Sequence, residues 1–257
     1  MRRRFARSAP IVLRALVVAA LVAFLLWPEM FRPLLAPLCD AGQPVIYDRA
    51  SLLSLTLSHL ATVAISIGGA TVVSVGLAIL VTRPIGVEFL PLSRSIVNIG
   101  QTFPPVAVLA LAVPVVGFGE RPTLIALFFY GLLPIFENAV TGLTNLPPEV
   151  VDAANGMGMT ETQRLWTVEA PLALPVILEG VRLSAVIALA TAAIGSTVAA
   201  KGLGEVIIAG LLSNNLAFVV QGGVIIAMLA ITLYEALSIV ERIFARRAGR
   251  IAKETEF

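Results

Sequence analysis

The 257 residues include one cysteine, Cys39, and one histidine, His59. That excludes a disulfide framework and any zinc site built from clustered Cys and His. Only three aspartates occur, Asp40, Asp48 and Asp152, and none falls in an apolar run. An aspartyl intramembrane protease, which needs two Asp within spans, is thereby excluded. H-E-x-x-H and G-x-S-x-G are absent, which removes the commonest hydrolytic sites. G-x-x-x-x-G-K-[ST] is absent too, so any nucleotide must be bound by another chain. Charge is scarce at 13% of residues, where a soluble domain has about a quarter, and the net charge of +2 gives no reason to expect a nucleic acid partner. No cofactor and no metal are expected.

What is present is apolar: 58% of residues, with a mean hydropathy of +0.95. This is a membrane protein. Six runs approach the roughly 20 helical residues that cross a bilayer core, near 10–28, 52–81, 95–117, 122–144, 172–198 and 217–240. Period-2 alternation is absent and open strands in lipid leave backbone groups unpaired, so the fold class is all-α and polytopic. Arg2, Arg3, Arg4 and Arg7 precede the first run, and Arg242, Arg246, Arg247, Arg250 and Lys253 follow the last. Cytoplasmic loops collect Lys and Arg, so both termini are expected in the cytoplasm. The start "MRRRFARSAP" also resembles a twin-arginine export signal. With no A-x-A-like cleavage site after the run, an uncleaved first helix is the expectation.

On this topology the largest cytoplasmic loop is a polar island, residues 152 to 171, "DAANGMGMTETQRLWTVEAP". Pro147 and Pro148 suit a helix start, and Gly156 or Gly158 can supply the positive φ that ends it. Thr160 and Gln163 have capping-box spacing for a second short helix, which Pro171 is expected to close. The loop reads either as a helical connector or as a docking surface, for which Ala154, Leu165, Trp166 and Val168 supply apolar area.

The loop resembles the signature of ABC importer permeases, E-A-A-x3-G-x9-I-x-L-P. The register here is Asp152-Ala153-Ala154, then Gly158, then Val168-Glu169-Ala170-Pro171, with every spacing kept and Asp, Val and Ala standing for Glu, Ile and Leu. In that family the loop is the coupling helix that sits in a groove of the ATPase subunit. "LAILVTR" at 77–83, "NIGQTFPPVAVLALAVPVVGFG" at 98–119, "RPTLIALFFYGLLPIFENAVTGL" at 121–143 and "KGLGEVIIAGLLSNNLAF" at 201–218 resemble permeases of osmoprotectant importers, which carry glycine betaine, choline, carnitine or proline betaine. Two positions depart from that pattern. Lys201 stands where a small residue is expected, and Glu137 stands where the family often has Arg.

A permease of this kind does no covalent chemistry; its task is alternating access. Gln101, Pro104, Pro105 and Pro114 interrupt the third run, which suits a broken helix beside a cavity. Gln101, Pro104, Tyr130, Glu137 and Asn138 are candidates for the translocation path, each with a helix-to-helix contact as its alternative. Ionisable groups inside spans cost about 2.5–3.5 kcal/mol at a helix centre, so Glu137 needs either Arg182 as a partner or water along the path, and Glu235 needs a partner or water as well. Glu179 and Arg182, one turn apart, read as a structural pair, and His59 as interfacial and structural. Stripes of small residues, Ser54 to Ser74 in the second run and Ser184 to Ala200 in the fifth, read as helix packing or pore lining.

The expected organisation is an N-terminal anchor helix and external loop over 1–50, a permease domain over 51–241 and a basic cytoplasmic tail over 242–257. The expected function is the permease subunit of an ATP-driven importer for quaternary-amine osmoprotectants, a transport component rather than an enzyme. Asp152, Ala153, Ala154, Gly158, Val168 and Pro171 would carry ATPase coupling. Its partners would be cytoplasmic ABC ATPase subunits, an extracytoplasmic solute-binding protein, a second permease subunit and membrane lipid. The alternatives are an ABC permease for another small solute such as an amino acid, or an ATP-independent channel or secondary transporter, whose inverted repeats are not evident.

Overall fold

The computed structural model describes residues 2–247, with side chains described from Val12 to Arg246. The side chains of Arg2 to Arg7, and Arg250 and Lys253, on which the orientation of the termini partly rests, lie outside that description. All regular structure among the described residues is helical. We label the main helices α1 (Arg2–Leu26), α2 (Leu52–Val81), α3 (Leu90–Thr102), α4 (Pro105–Val116), α5 (Glu120–Thr144), α6 (Pro148–Gly156), α7 (Glu161–Arg164), α8 (Ala170–Ala192), α9 (Gly204–Leu212) and α10 (Leu216–Arg247).

Among the described residues, four continuous helices are long and apolar enough to cross a membrane, and two bent pairs bring the total to six if each pair is one span. Both bends occur at prolines. After α1, Trp27 leaves the helical region because Pro28 follows it, and short helical turns over Pro28–Leu38 run at 111° to Val12–Leu26. The third run breaks at Phe103, extended at φ −88 and ψ 137 ahead of Pro104, and helix resumes at Pro105. Pro134 and Pro175 are instead tolerated inside α5 and α8.

The described residues form two compact units, each built from three stretches. One unit contains residues 2–64, 105–125 and 189–233. Its loop before α2 is pinned to the α9–α10 hairpin: the Tyr47 hydroxyl donates to Glu205 at 2.6 Å, the Tyr47 amide to Gln221 Oε1 at 3.0 Å, and Asn215 Nδ2 to the Pro44 carbonyl at 2.8 Å. Burial, and then the hydrogen bond to Glu205, hold the Tyr47 phenol above its ordinary range. Two non-glycine residues take the left-handed region, Ala199 and Asn214, where a helix ends. His59 is fully buried in this unit, with Nε2 on the Leu189 carbonyl at 2.9 Å, so its role is structural but not interfacial. α2 is apolar all round, so its sequence gave no cue to which side turns inward. Lys201 reaches Ser54 Oγ at 2.9 Å. Helix α9 has no counterpart among the six runs, because nine residues are too few to read as a span.

The other unit contains residues 65–104, 126–188 and 234–247. Close packing on small residues holds it together, as it must where lipid is as apolar as leucine. A Cβ on Gly180 would lie 2.7 Å from Asn138 Cβ and from the Pro134 carbonyl, and one on Gly131 would lie 2.8 Å from Ile67. Ser74 and Ser184 donate to the carbonyls of Leu132 and Gly131 at 3.0 and 3.2 Å. The small-residue stripes are mostly buried, at Ser66, Ala70 and Ser74 and at Ser184, Ala188 and Ala192, which is the packing reading.

Candidate functional site

The loop between α5 and α8 begins as expected. Pro147 and Pro148 open α6, and a Schellman motif ends it: Met159 N–H donates to the Ala154 carbonyl at 3.2 Å and Gly158 N–H to Asn155 at 2.9 Å. Gly158 makes the turn with φ +75, a conformation that an L side chain resists even though the space around it is open. Thr160 and Gln163 form a reciprocal capping box, at 2.9 and 3.3 Å.

Pro171 does not close the second helix. Residues 161–198 run as one continuous helix, with a π turn at Leu165–Glu169 in which the Ala170 N–H reaches back to Leu165. A π turn displaces the carbonyls that a proline ring would meet and leaves unpaired the one that its missing N–H cannot serve, so helix and proline coexist. The apolar span near 172–198 begins just after it.

The docking face also differs from expectation. Ala154 is 1% exposed and Leu165 is buried, so both are supports beneath the loop. Helical periodicity puts Ala153 and Ala154 about 100° apart, and which of the two turns inward depends on the underlying helices. Met157 and Trp166 are 70% and 65% exposed, and Asp152, Ala153, Gly158 and Pro171 are exposed with them, with Val168 half-buried.

A charge cluster unsuspected from sequence fixes this loop. Glu169, 5% exposed, receives Arg83 at 2.5 Å on one oxygen and Arg164 at 2.7 Å on the other, and Arg164 also donates to Asn155 at 2.6 Å. Arg83 follows the end of α2, Arg164 closes α7 and Asn155 is in α6, so the carboxylate ties α2 to α7 and Arg164 carries the link on to α6. Burial raises the Glu169 pKa, but the hydrogen bonds and charges of the two guanidiniums outweigh it and hold the carboxyl below its ordinary value. The cue in the sequence was slight: three charged residues in regions predicted to be cytoplasmic, with nothing to assign partners.

The second constellation lies along α3 and α5. Arg94 makes a two-pronged ion pair with Glu137, at 2.8 and 3.0 Å, so Glu137 does not pair with Arg182. Arg182 instead donates to Glu241 and to Ser238 and lies over the Tyr234 ring, while Glu179 stays 3.9 Å away. Periodicity on one helix could not reveal that α10 offers a closer carboxylate. Two turns from the ion pair, Gln101 Nε2 donates to the Tyr130 carbonyl at 3.1 Å. That carbonyl lacks its helical donor because Pro134, four residues on, has no N–H. The Tyr130 hydroxyl donates to the Phe103 carbonyl at the α3 break, next to Pro104. Gln101, Pro104, Tyr130 and Glu137 are thus gathered along one helix pair. Asn138 is not among them: its Nδ2 donates to the Pro134 carbonyl of its own helix at 2.8 Å, and its Cβ faces Gly180. Among the described residues, no group of three or more His, Cys, Asp or Glu could hold a metal ion.

Comparison with known proteins decides the family. Residues 74–250 match the binding-protein-dependent transport system inner membrane component family. The chain belongs to it. It is 39% identical over 185 residues to the osmoprotectant import permease protein OsmY of Salmonella typhimurium, covering 72% of this chain and 78% of that one. It is 35% identical over 178 residues to the choline transport system permease protein OpuBB of Bacillus subtilis, covering 67% and 82%. Among solved structures, it superposes on a chain of the inward-facing MetNI methionine ABC transporter with a TM-score of 0.68 at 21% identity, covering 75% of this chain and 95% of that one, a likeness of fold. The protein is therefore the permease subunit of an ABC importer, an inner membrane transport component and not an enzyme.

Proposed function

We propose that this permease forms the path for quaternary-amine osmoprotectants such as glycine betaine, choline, carnitine or proline betaine. The observation that carries the reading is identity of 34–39% to several permeases named for osmoprotectants, glycine betaine, choline or carnitine. The permease works with two cytoplasmic ATPase subunits, an external solute-binding protein and a second permease chain. Both termini face the cytoplasm. Residues 51–241 form the permease domain, preceded by an anchor over 1–50 and followed by a basic tail over 242–257 whose first residues prolong α10.

Coupling runs through residues 148–171, with Asp152, Ala153, Met157 and Trp166 meeting the ATPase, Gly158 setting the turn, and Ala154, Val168 and Pro171 supporting it. The path runs along the face of α3 and α5 that carries Arg94, Glu137, Gln101, Tyr130 and Pro104. Charged groups on a span do not face lipid without a large cost, so the exposed ion pair belongs beside water or another subunit.

The test is growth of a strain stripped of osmoprotectant importers, in high salt, expressing this permease with its ATPase and binding protein. Rescue by glycine betaine, choline or carnitine is expected. Uptake of amino acids alone would refute the substrate class.

A further inference from the structure

The Arg94–Glu137 pair invites comparison with the other strong ion pairs of its unit. Glu169 is sealed between two guanidiniums and Arg182 is mostly buried, whereas Arg94 and Glu137 are 49% and 36% exposed. Glu137 lies seven residues before the end of α5, about 10 Å from it at 1.5 Å per residue, and Arg94 stands just before the third apolar run, so the pair sits toward one end of both spans. An accessible, two-pronged pair there has both its charges within reach of a solute.

We propose that this pair is a binding site for zwitterionic solutes, in which Glu137 takes the quaternary ammonium and Arg94 takes the carboxylate. The proposal rests on the path and substrate class set out above. The chemistry follows from charge balance. A choline-like cation that engages Glu137 separates it from Arg94 and leaves the guanidinium without an anion, an expensive state away from bulk water. A betaine supplies both partners at once: its carboxylate matches the planar fork of Arg94, which binds carboxylates through two parallel hydrogen bonds. Its ammonium, which has no N–H to donate, needs only the charge of Glu137 nearby. The pair in the empty site and the pair around the solute are both neutral, so solute entry and release exchange partners without stranding a charge. An isolated Glu137 would favour cations instead; the second charge, from Arg94, reverses the preference. Gln101 and Tyr130 do not compete for the carboxylate, because Gln101 Nε2 and the Tyr130 hydroxyl are already bonded to backbone carbonyls.

The experiment measures labelled glycine betaine and choline uptake in vesicles carrying the whole importer with ATP and one binding protein, so that any change in ratio arises in the permease. Arg94→Gln leaves Glu137 unpaired and should lower the betaine-to-choline ratio about tenfold, equivalent to 1.4 kcal/mol. The neutral double variant Arg94→Gln/Glu137→Gln strands no charge and so should insert normally; its ratio should also fall. A wild-type importer that moves both solutes while both variants keep its ratio would overturn the site alone. A wild-type importer that moves neither would overturn the substrate class, and this site with it.

Discussion

Replacing Glu169 by glutamine removes one negative charge and keeps the shape. In the native protein that carboxylate, nearly sealed from solvent, accepts from Arg83 Nη2 at 2.5 Å and from Arg164 Nε at 2.7 Å, and Arg83 Nε is buried without a hydrogen-bond partner. With a neutral amide in place of the carboxylate, two guanidiniums face one another with no anion between them. Removing one member of a buried ion pair costs about 3–5 kcal/mol. We take the lower end, because each arginine is 15–19% exposed and keeps some hydration. A loss of about 3 kcal/mol is a change of more than a hundredfold in the balance between a docked and an open loop. α6 should therefore open without global unfolding, and hydrogen exchange of the amides of residues 148–156 in detergent or nanodiscs should speed up by about that factor. Binding-protein-stimulated ATP hydrolysis should fall with it, because the surface offered to the ATPase no longer holds its place. Exchange rates for 148–156 equal to wild type in Glu169→Gln would refute the clamp.

Three more expectations follow from single contacts. Gly158→Val forces a β-branched residue to φ +75, at a cost of about 1–3 kcal/mol, whereas Gly158→Asn should be tolerated, as Asn214 is at φ 53; uptake assays on membranes with matched expression should separate the two. Trp166→Ala should weaken co-purification with the ATPase at unchanged thermal stability, while Ala154→Asp buries an unpaired charge and should lower stability itself, by several kcal/mol in a melting assay. Gln101→Leu leaves the Tyr130 carbonyl without its donor and should cost about 0.5–1.5 kcal/mol, and adding Pro134→Ala should restore that loss, because residue 134 then supplies the helical N–H; melting of the two variants decides it.

Acidity bears on the clamp in a definite direction. Glu169 has its pKa below the ordinary value of 4.5, so its stabilising effect is complete above that value and disappears only as pH falls through the lower, folded-state pKa. The titration of Glu169 should therefore leave protection of the loop unchanged near neutral pH.

Local chemistry was the legible part of this protein. Gly158, Thr160 and Gln163 act on neighbours a few residues away, so spacing alone identified the turn and the capping box. Long apolar runs identified the spans, since a bilayer demands length and little else. Pro171 misled because a proline inside a helix usually breaks or kinks it, and a π turn five residues long is invisible to pattern. Ala154 misled because one alanine looks like the next until the helix is laid on its neighbours. Partner choice among charges was out of reach altogether: Glu137 was expected to pair with Arg182 or face water, it pairs with Arg94, and which helix faces which is a tertiary fact. Gln101 stands out as a polar residue in a span, but the reason for its contact, a carbonyl orphaned by Pro134, needed both helices in view.

On the proposed function, this chain conducts quaternary amines under the control of an ATPase docked on residues 148–171. The most direct test is uptake of labelled glycine betaine into vesicles that carry the purified permease, its ATPase and its binding protein. Accumulation against a gradient is expected with ATP and binding protein together, and only leakage when either is left out or when Trp166 is replaced by aspartate. Equal accumulation without ATP would contradict the account.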